Sequence, residues 1–272
     1  MGEILTKENY RTNHDFLSYT RFSKFLTCEA AAAVNYKTPS TTSQLVGSYV
    51  DAYFSEELED FQKEHPEIFN SKTGELKADF VKAKDLIERV KSDPLMMYYM
   101  SGEKQKIMTG EIDGVKFKIK MDSYMPDNFI VDLKVMKDFQ PVWVGNRKSN
   151  FVEGYNYDIE LAIFQEIVRQ NTGKILPCYI VGITKETPSD VGIFEIPQSQ
   201  LNTALEIVHN NIGRIDDILK GRVAPHRCET CEYCRSTKKA RVLTYDLAGL
   251  DGDHLRELGI ECDDSILKQD QE

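Results

Sequence analysis

The run "FIVDLKVM" (Phe129–Met136) is apolar apart from Asp132 and Lys134, which stand two positions apart. Side chains on a strand alternate faces, so Ile130, Asp132 and Lys134 share one face and Phe129, Val131, Leu133 and Val135 the other. The preceding run "VKFKIKMDSYM" obeys the same rule, with Val115, Phe117, Ile119 and Met121 apolar and Lys116, Lys118, Lys120 and Asp122 polar. A hairpin turning about Asp127 pairs residues whose numbers sum to about 254, which sets Asp122 opposite Asp132 with Cβ atoms on the order of 5 Å apart. Two half-buried carboxylates in that position either share a proton or hold a cation. Mg²⁺ or Mn²⁺ suits them, because such ions take one or two carboxylates together with water and phosphate oxygens. Lys134 is then placed to orient or deprotonate a water, or to stabilise charge developing on a phosphoryl group. The alternative is an exposed ion pair on an edge strand.

A second constellation is "CETCEYC", with Cys228, Cys231 and Cys234 at steps of three. Thiolates so spaced in a turn-rich stretch can wrap one metal centre. His226 supplies a local fourth ligand for Zn²⁺. Around these cysteines lie Arg222, His226, Arg227, Arg235, Lys238, Lys239 and Arg241; with Asn146, Arg147, Lys148 and strand lysines 116, 118 and 120 they can form a positive track for phosphates. The one tryptophan, Trp143, follows the Asp132–Lys134 strand; it can stack on a base or cap the core, and the core is the expectation.

The elements that must position these residues follow from periodicity. Helices are expected at about 23–34, 42–61 and 77–92, then three strands separated by Asp113-Gly114 and Pro126-Asp127-Asn128, both hairpin signals. A helix at about 154–170, strands "ILPCYIVGIT" and "VGIFEI", and a long helix striped by Leu201, Ala204, Leu205, Val208, Ile212, Ile215 and Leu219 complete the order. Helices followed by βββαββα imply an α/β mixed sheet between helical layers.

The chain has 272 residues, 41% of them hydrophobic, enough for a sizeable core. Its net charge of -10 argues against a nucleic-acid partner until it is localised. Residues 245–272 account for -7 of it, so this stretch reads as an acidic tail and residues 1–244 as one domain that includes the cysteine knot at 226–235. No apolar run approaches the roughly 18 residues of a membrane span and the N-terminal residues are too polar for a signal peptide, so a cytoplasmic protein is expected.

These residues carry a family resemblance. Asp122, then Asp132-Leu133-Lys134, on a βββα core resembles the PD-(D/E)XK nucleases, and the flanking pieces are similar to their RecB/RecE-like, phage-type exonuclease branch. "LSYTRFSKFLTC" (Leu17–Cys28) is similar to that branch's serine-rich helix ending in cysteine. "LVGSYVDAYF" has its glycine, Gly47, but Asp51 stands where a metal-binding histidine is usual. "YDIELAIF" matches the Y-x-x-Q-x-x-x-Y helix with Tyr157, with Glu160 for the glutamine and Phe164 for the second tyrosine. The resemblance implies a restriction-endonuclease-like βββαβ core with N-terminal helical additions. It implies catalysis by Asp122, Asp132, Lys134 and Glu160, and metal ligation by Asp51, Asp122, Asp132 and Leu133, the last through its main-chain carbonyl. DNA contacts are expected from Tyr157, Gln165, Arg147, Lys148, Lys238 and Lys239. It also brings in Cys28 as partner of Cys228, Cys231 and Cys234 in a 4Fe-4S cluster, with Zn²⁺ the alternative. The activity implied is resection of double-stranded DNA ends in phage or prophage recombination, beside a single-strand annealing protein and compatible with a homo-oligomer. The rivals are a helicase-associated nuclease and a DNA-binding protein whose catalysis has lapsed, the latter on account of Glu160 and Phe164.

Overall fold

A computed structural model of the chain describes residues 5–240 and 242–260, so Arg241, Cys262 and the end of the acidic tail lie outside the described residues. The helices are α1 (Lys7–Tyr10), α2 (Tyr19–Thr27), α3 (Glu29–Ala33), α4 (Thr42–Phe54), α5 (Leu58–Glu64), α6 (Ala78–Lys91) and α7 (Pro94–Tyr99). Strands β1 (Glu103–Ile112), β2 (Val115–Met125) and β3 (Phe129–Met136) follow, then a small ribbon of β4 (Val142–Val144) and β5 (Arg147–Ser149). Helices α8 (Phe151–Gly154) and α9 (Tyr157–Thr172), strands β6 (Cys178–Thr184) and β7 (Val191–Ile196), and helices α10 (Gln198–Leu219), α11 (Glu232–Ser236) and α12 (Gly252–Glu257) complete the order. Five strands form one sheet in the order β1-β2-β3-β6-β7, with β3 and β6 parallel and joined through α9, and β7 antiparallel to β6. This is the mixed α/β sheet that the strand order implies.

The turn chemistry sets the register. Asp113 and Gly114 both have positive φ, as a two-residue hairpin turn requires. At the next hairpin Pro126 presets φ, Asp127 takes φ 65, and the Asn128 N–H closes the turn on the Met125 carbonyl at 3.0 Å. The resulting pairs, Met125 with Phe129, Tyr124 with Ile130 and Ser123 with Val131, follow the expected register.

Two helices are each broken where periodicity alone reads one. α2 stops at Cys28, whose extended backbone (φ -162, ψ 108) is also the N-cap of α3. The thiol thereby sits at a corner and not on a helix flank. α4 ends at Ser55, and Glu56 with φ 61 turns the chain before α5.

The chain divides into two compact units. The first comprises the segment ending at His14, Pro39–Gly110 and Lys118–Glu206. Its core packs α4, α6 and α7 residues such as Tyr49, Val50, Ile87 and Met96 on the face of β3 and β6 that carries Val131, Leu133, Val181 and Ile183. Lys118 belongs to this unit and is buried, its Nζ donating to the main-chain carbonyls of Tyr10 and Asn13 at 2.5 Å each. That corrects its expected place in a phosphate track: the segment before His14 covers it. The second unit comprises Asp15–Thr38, Glu111–Phe117 and the segment from Ile207 on. There Leu17 bridges Phe117, Phe22 packs on Phe117 with ring centroids 6.4 Å apart, and Glu29 takes a two-pronged bond from Arg214 at 2.7 and 2.8 Å.

Lys118→Met keeps the volume and removes two charge-assisted bonds, which costs about 2–4 kcal/mol. The expected outcome is a lower urea midpoint together with faster proteolytic cutting before His14; an unchanged cutting pattern would show that Lys118 does not tether that segment.

Candidate active site and a four-cysteine cluster

Asp132 and Lys134 project from one face of β3, as alternation requires, and Lys134 Nζ lies 2.7 Å from Asp132 Oδ2 and 2.8 Å from Glu160 Oε2 of α9. Their side chains are 6%, 19% and 15% exposed, so the three charges meet in a half-closed site. The ladder between β2 and β3 gives way here. The Leu133 N–H donates to the side chain of Asp122, Oδ2, at 2.8 Å. Asp122 is thereby held against β3 beside Asp132. Asp51, in the last turn of α4, completes the group; its Oδ1 accepts from Ser55 Oγ at 3.4 Å.

The electrostatics are those of four acids against the Lys134 amine, with Lys120 acting on Asp51. Burial, then the charges of Asp51 and Asp132, push Asp122 well above the usual carboxylate range, and Lys134 and the Leu133 N–H only partly offset this. Asp51 is raised by burial and by Asp132, against the pull of Lys120 and Lys134. Burial raises Glu160 to about 7, Lys134 drawing it down and Asp132 up. Burial alone would lower Lys134, but Asp132, Glu160 and Asp122 together hold it well above its ordinary value. Without a cation in the site, these acids favour the protonated amine.

The donor set fits a hard divalent cation: three aspartates, a glutamate and the Leu133 carbonyl are oxygen ligands of the kind Mg²⁺ and Mn²⁺ take. Asp132 Oδ2 is buried and, despite the nearby amine, has no directed hydrogen bond. The carboxylates are not drawn tight; among the described residues, only the four cysteines bring three or more ligand atoms all within 4.8 Å of one another.

Sequence reasoning missed Gln105 and Ser55. Gln105 Nε2 donates to Ser55 Oγ at 2.6 Å and to Asp122 Oδ1 at 3.2 Å, which links α4 to the acid pair. Ser55 was legible as the residue four after Asp51 on a helix. Gln105 was not, because it reaches inward only through a left-handed backbone (φ 50) inside β1. Tyr10 was missed as well: burial first and then the charge of Glu160 raise its phenol.

The expected DNA contacts divide. Tyr157 lies with Lys134 Nζ 4.8 Å from its ring centroid, and its phenol is pushed up to about 12, chiefly by burial. Arg147 and Lys148 are exposed on β5. Gln165 is corrected: it is 7% exposed, and its amide bonds the Leu176 carbonyl at 2.8 Å and Gln198 at 3.0 Å, which spends it on packing. Lys238 and Lys239 belong to the second unit, where Lys238 pairs with the buried Glu229 at 2.8 Å. Trp143 is 68% exposed, against the expected core position.

Cys28, Cys228, Cys231 and Cys234 converge, all four sulfurs lying within 4.8 Å of one another. Cys28 Sγ is 3.6 Å and Cys228 Sγ 3.9 Å from Cys234 Sγ. The CxxC steps place the Cys231 N–H on Cys228 Sγ at 3.3 Å and the Cys234 N–H on Cys231 Sγ at 3.4 Å. Burial would raise the Cys228 thiol, but the Cys231 N–H and the Thr230 hydroxyl bring it down to about 6. His226 is no ligand here; its main-chain N–H donates to Glu29 Oε2 at 2.7 Å and its ring lies 3.7 Å from the same carboxylate.

Compared with known families, residues 18–237 match the PDDEXK-like domain of unknown function (DUF3799). The chain belongs to this family. The matched span contains Asp51, Asp122, Asp132, Lys134, Glu160 and the four cysteines. Among solved structures, this PDDEXK-like chain is similar to a "Putative exonuclease" from Eubacterium rectale, with 42% identity and TM-score 0.86 over 92% of this chain and 100% of that one. It also aligns with an alkaline exonuclease (LHK-Exo) from Laribacter hongkongensis at 11% identity and TM-score 0.32, over 80% of this chain and 96% of that one, a likeness too low to carry an argument. No curated protein matches it.

The raised Glu160 makes a linked prediction. A carboxylate raised from its ordinary value to about 7 binds its proton more tightly folded than unfolded, so stability falls as pH climbs through that window. In chelator, the protein should lose on the order of 2–3 kcal/mol between about pH 4.5 and 7.5, and Glu160→Gln should flatten the dependence. Thermal melts across that range check it; an equally steep profile in the variant would show that Glu160 is not strained.

Proposed function

We propose that this chain is a metal-dependent deoxyribonuclease that hydrolyses phosphodiester bonds from the ends of duplex DNA. The observation that carries the reading is the placement of Lys134 between Asp132 and Glu160, with Asp122 and Asp51 beside them. The 42% identical relative named as an exonuclease supports the same class.

Asp51, Asp122, Asp132 and the Leu133 carbonyl would hold the cation. Bound there, Mg²⁺ or Mn²⁺ supplies Lewis acidity to the scissile phosphate and lowers the pKa of the attacking water. Lys134, fixed by two carboxylates, presents a positive charge to the oxygens that gain charge as water adds to phosphorus. Glu160, which stands where the branch that the sequence resembles has glutamine, lies against Lys134 and is placed to accept the water's proton. End resection in phage-type recombination, feeding a single-strand annealing protein, is the cellular setting this activity fits.

Linear and closed-circular duplex incubated with Mg²⁺ or Mn²⁺ test the reading. Loss of the linear form alone is expected; cutting of the circle would make it an endonuclease, and binding without loss a lapsed site. Asp132→Asn and Lys134→Ala should each reduce the rate by about a hundred-fold or more while the fold survives.

The sulfur spacing supports a single tetrahedral ion in the cysteine cluster. Zn–S bonds of about 2.3 Å put ligand sulfurs about 3.8 Å apart. The separations of 3.6 and 3.9 Å match that, whereas a cubane needs room for four irons between its ligands. Purified protein should carry about one zinc per chain, be colourless, and lose the metal on Cys28→Ser. Brown protein containing iron, by elemental analysis and visible absorbance, would overturn the zinc assignment.

A further inference from the structure

The β4–β5 ribbon between the Asp132–Lys134 strand and α9 has a construction that catalysis does not account for. Gly145, with φ 56, is the first of the two central turn residues, and Val142, Trp143 and Val144 pair with Ser149, Lys148 and Arg147. The ribbon's two faces differ. Val142 and Val144 lie over Gly154, where an added Cβ would overlap Val142 Cγ2. Trp143 and its cross-strand partner Lys148 take the opposite face, the Lys148 amine 5.6 Å from the indole centroid.

The ribbon is clamped at both ends. Phe139 just before it and Phe151 just after it both pack on Phe194 of β7 with centroids 5.0 Å away, and on each other at 5.5 Å. This mount leaves Trp143 68% exposed, its indole face open to an occupant. Charge says which kind. From Phe139 to Val152 there is no acid, while Arg147 and Lys148 are exposed, in a chain of net charge -10. Two further rings stand at the active site: Tyr155, 45% exposed, lies 5.6 Å from the Tyr157 ring, whose centroid is 4.8 Å from Lys134 Nζ.

We infer that the β4–β5 ribbon is a stacking platform for an unpaired nucleobase of the DNA strand entering the site, with Trp143 taking the base and Lys148 the adjoining phosphate. A base inside a duplex is covered on both faces by its neighbours, whereas the unpaired base of a frayed or resected end offers its face to an indole beside a free phosphate. Stacking is indifferent to base identity, so the platform confers grip without sequence preference. The inference rests on the nuclease reading and adds to it where the strand lies.

Trp143 is the chain's one tryptophan, so emission excited at the red edge, where tyrosine does not absorb, reports this side chain alone. Full-length protein carrying Asp132→Asn, chosen so that cleavage does not consume the probe, is titrated with a short labelled single-stranded oligonucleotide while indole emission and label anisotropy are followed together. Quenching that tracks binding is expected, and adding Trp143→Ala should weaken binding by roughly ten- to hundred-fold, with Trp143→Phe recovering most of it. Binding with unchanged emission, or equal affinity in the alanine variant, overturns the platform and leaves the nuclease reading intact; this is also the result if the ribbon docks a protein. If the oligonucleotide does not bind and the unsubstituted chain degrades no DNA, both readings fall together.

Discussion

Four carboxylates gather around the single amine of Lys134 in a site that water reaches only partly, and most of the neighbouring structure follows from that imbalance. Like charges brought together away from water raise one another's proton affinity. The fold answers with backbone and side-chain donors: the Leu133 N–H and the Gln105 amide on Asp122, and the Ser55 hydroxyl on Asp51. These donors fix the oxygens without neutralising them. Asp122 and Glu160 remain raised, so the group keeps a standing demand for further positive charge.

Placement of that demand depends on three ordinary features of the sheet. The turn at Pro126-Asp127 fixes the register that brings Asp122 level with Asp132. The parallel crossover from β3 through α9 to β6 lays Glu160 over Lys134. The packing of α4 on β3, close enough that Gly47 sits 3.8 Å from Val135 Cβ when given a Cβ of its own, carries Asp51 to the open end of the β2–β3 ladder. A one-residue slip of the β2–β3 register would turn an acid to the opposite face, and a one-residue slip of α4 or α9 would swing Asp51 or Glu160 by about 100°.

Much of this was legible because it depends on period and spacing. Strand alternation placed Asp132 and Lys134 on one face, turn residues gave the register, and the triplet of late cysteines announced a ligand set. Other features depend on where the chain leaves its regular path, and periodicity is silent there. Gln105 reaches Asp122 through a left-handed residue inside a strand. Cys28 stands at a corner between two short helices that read as one. Lys118 alternates with Lys116 and Lys120 in sequence, yet it is buried because a distant segment folds over it. Trp143 reads as a core residue by its composition, and only the backing of Val142 and Val144 on Gly154 turns it outward.

The central claim is that the crowded carboxylates are a cation site. Crystals soaked in Mn²⁺ and measured near the manganese absorption edge address it directly. The account predicts an anomalous peak in contact with Asp51, Asp122 and Asp132, with Lys134 still bonded to Glu160. No peak at that position with the protein otherwise ordered, or Lys134 alone satisfying the acids while manganese binds elsewhere, would contradict it.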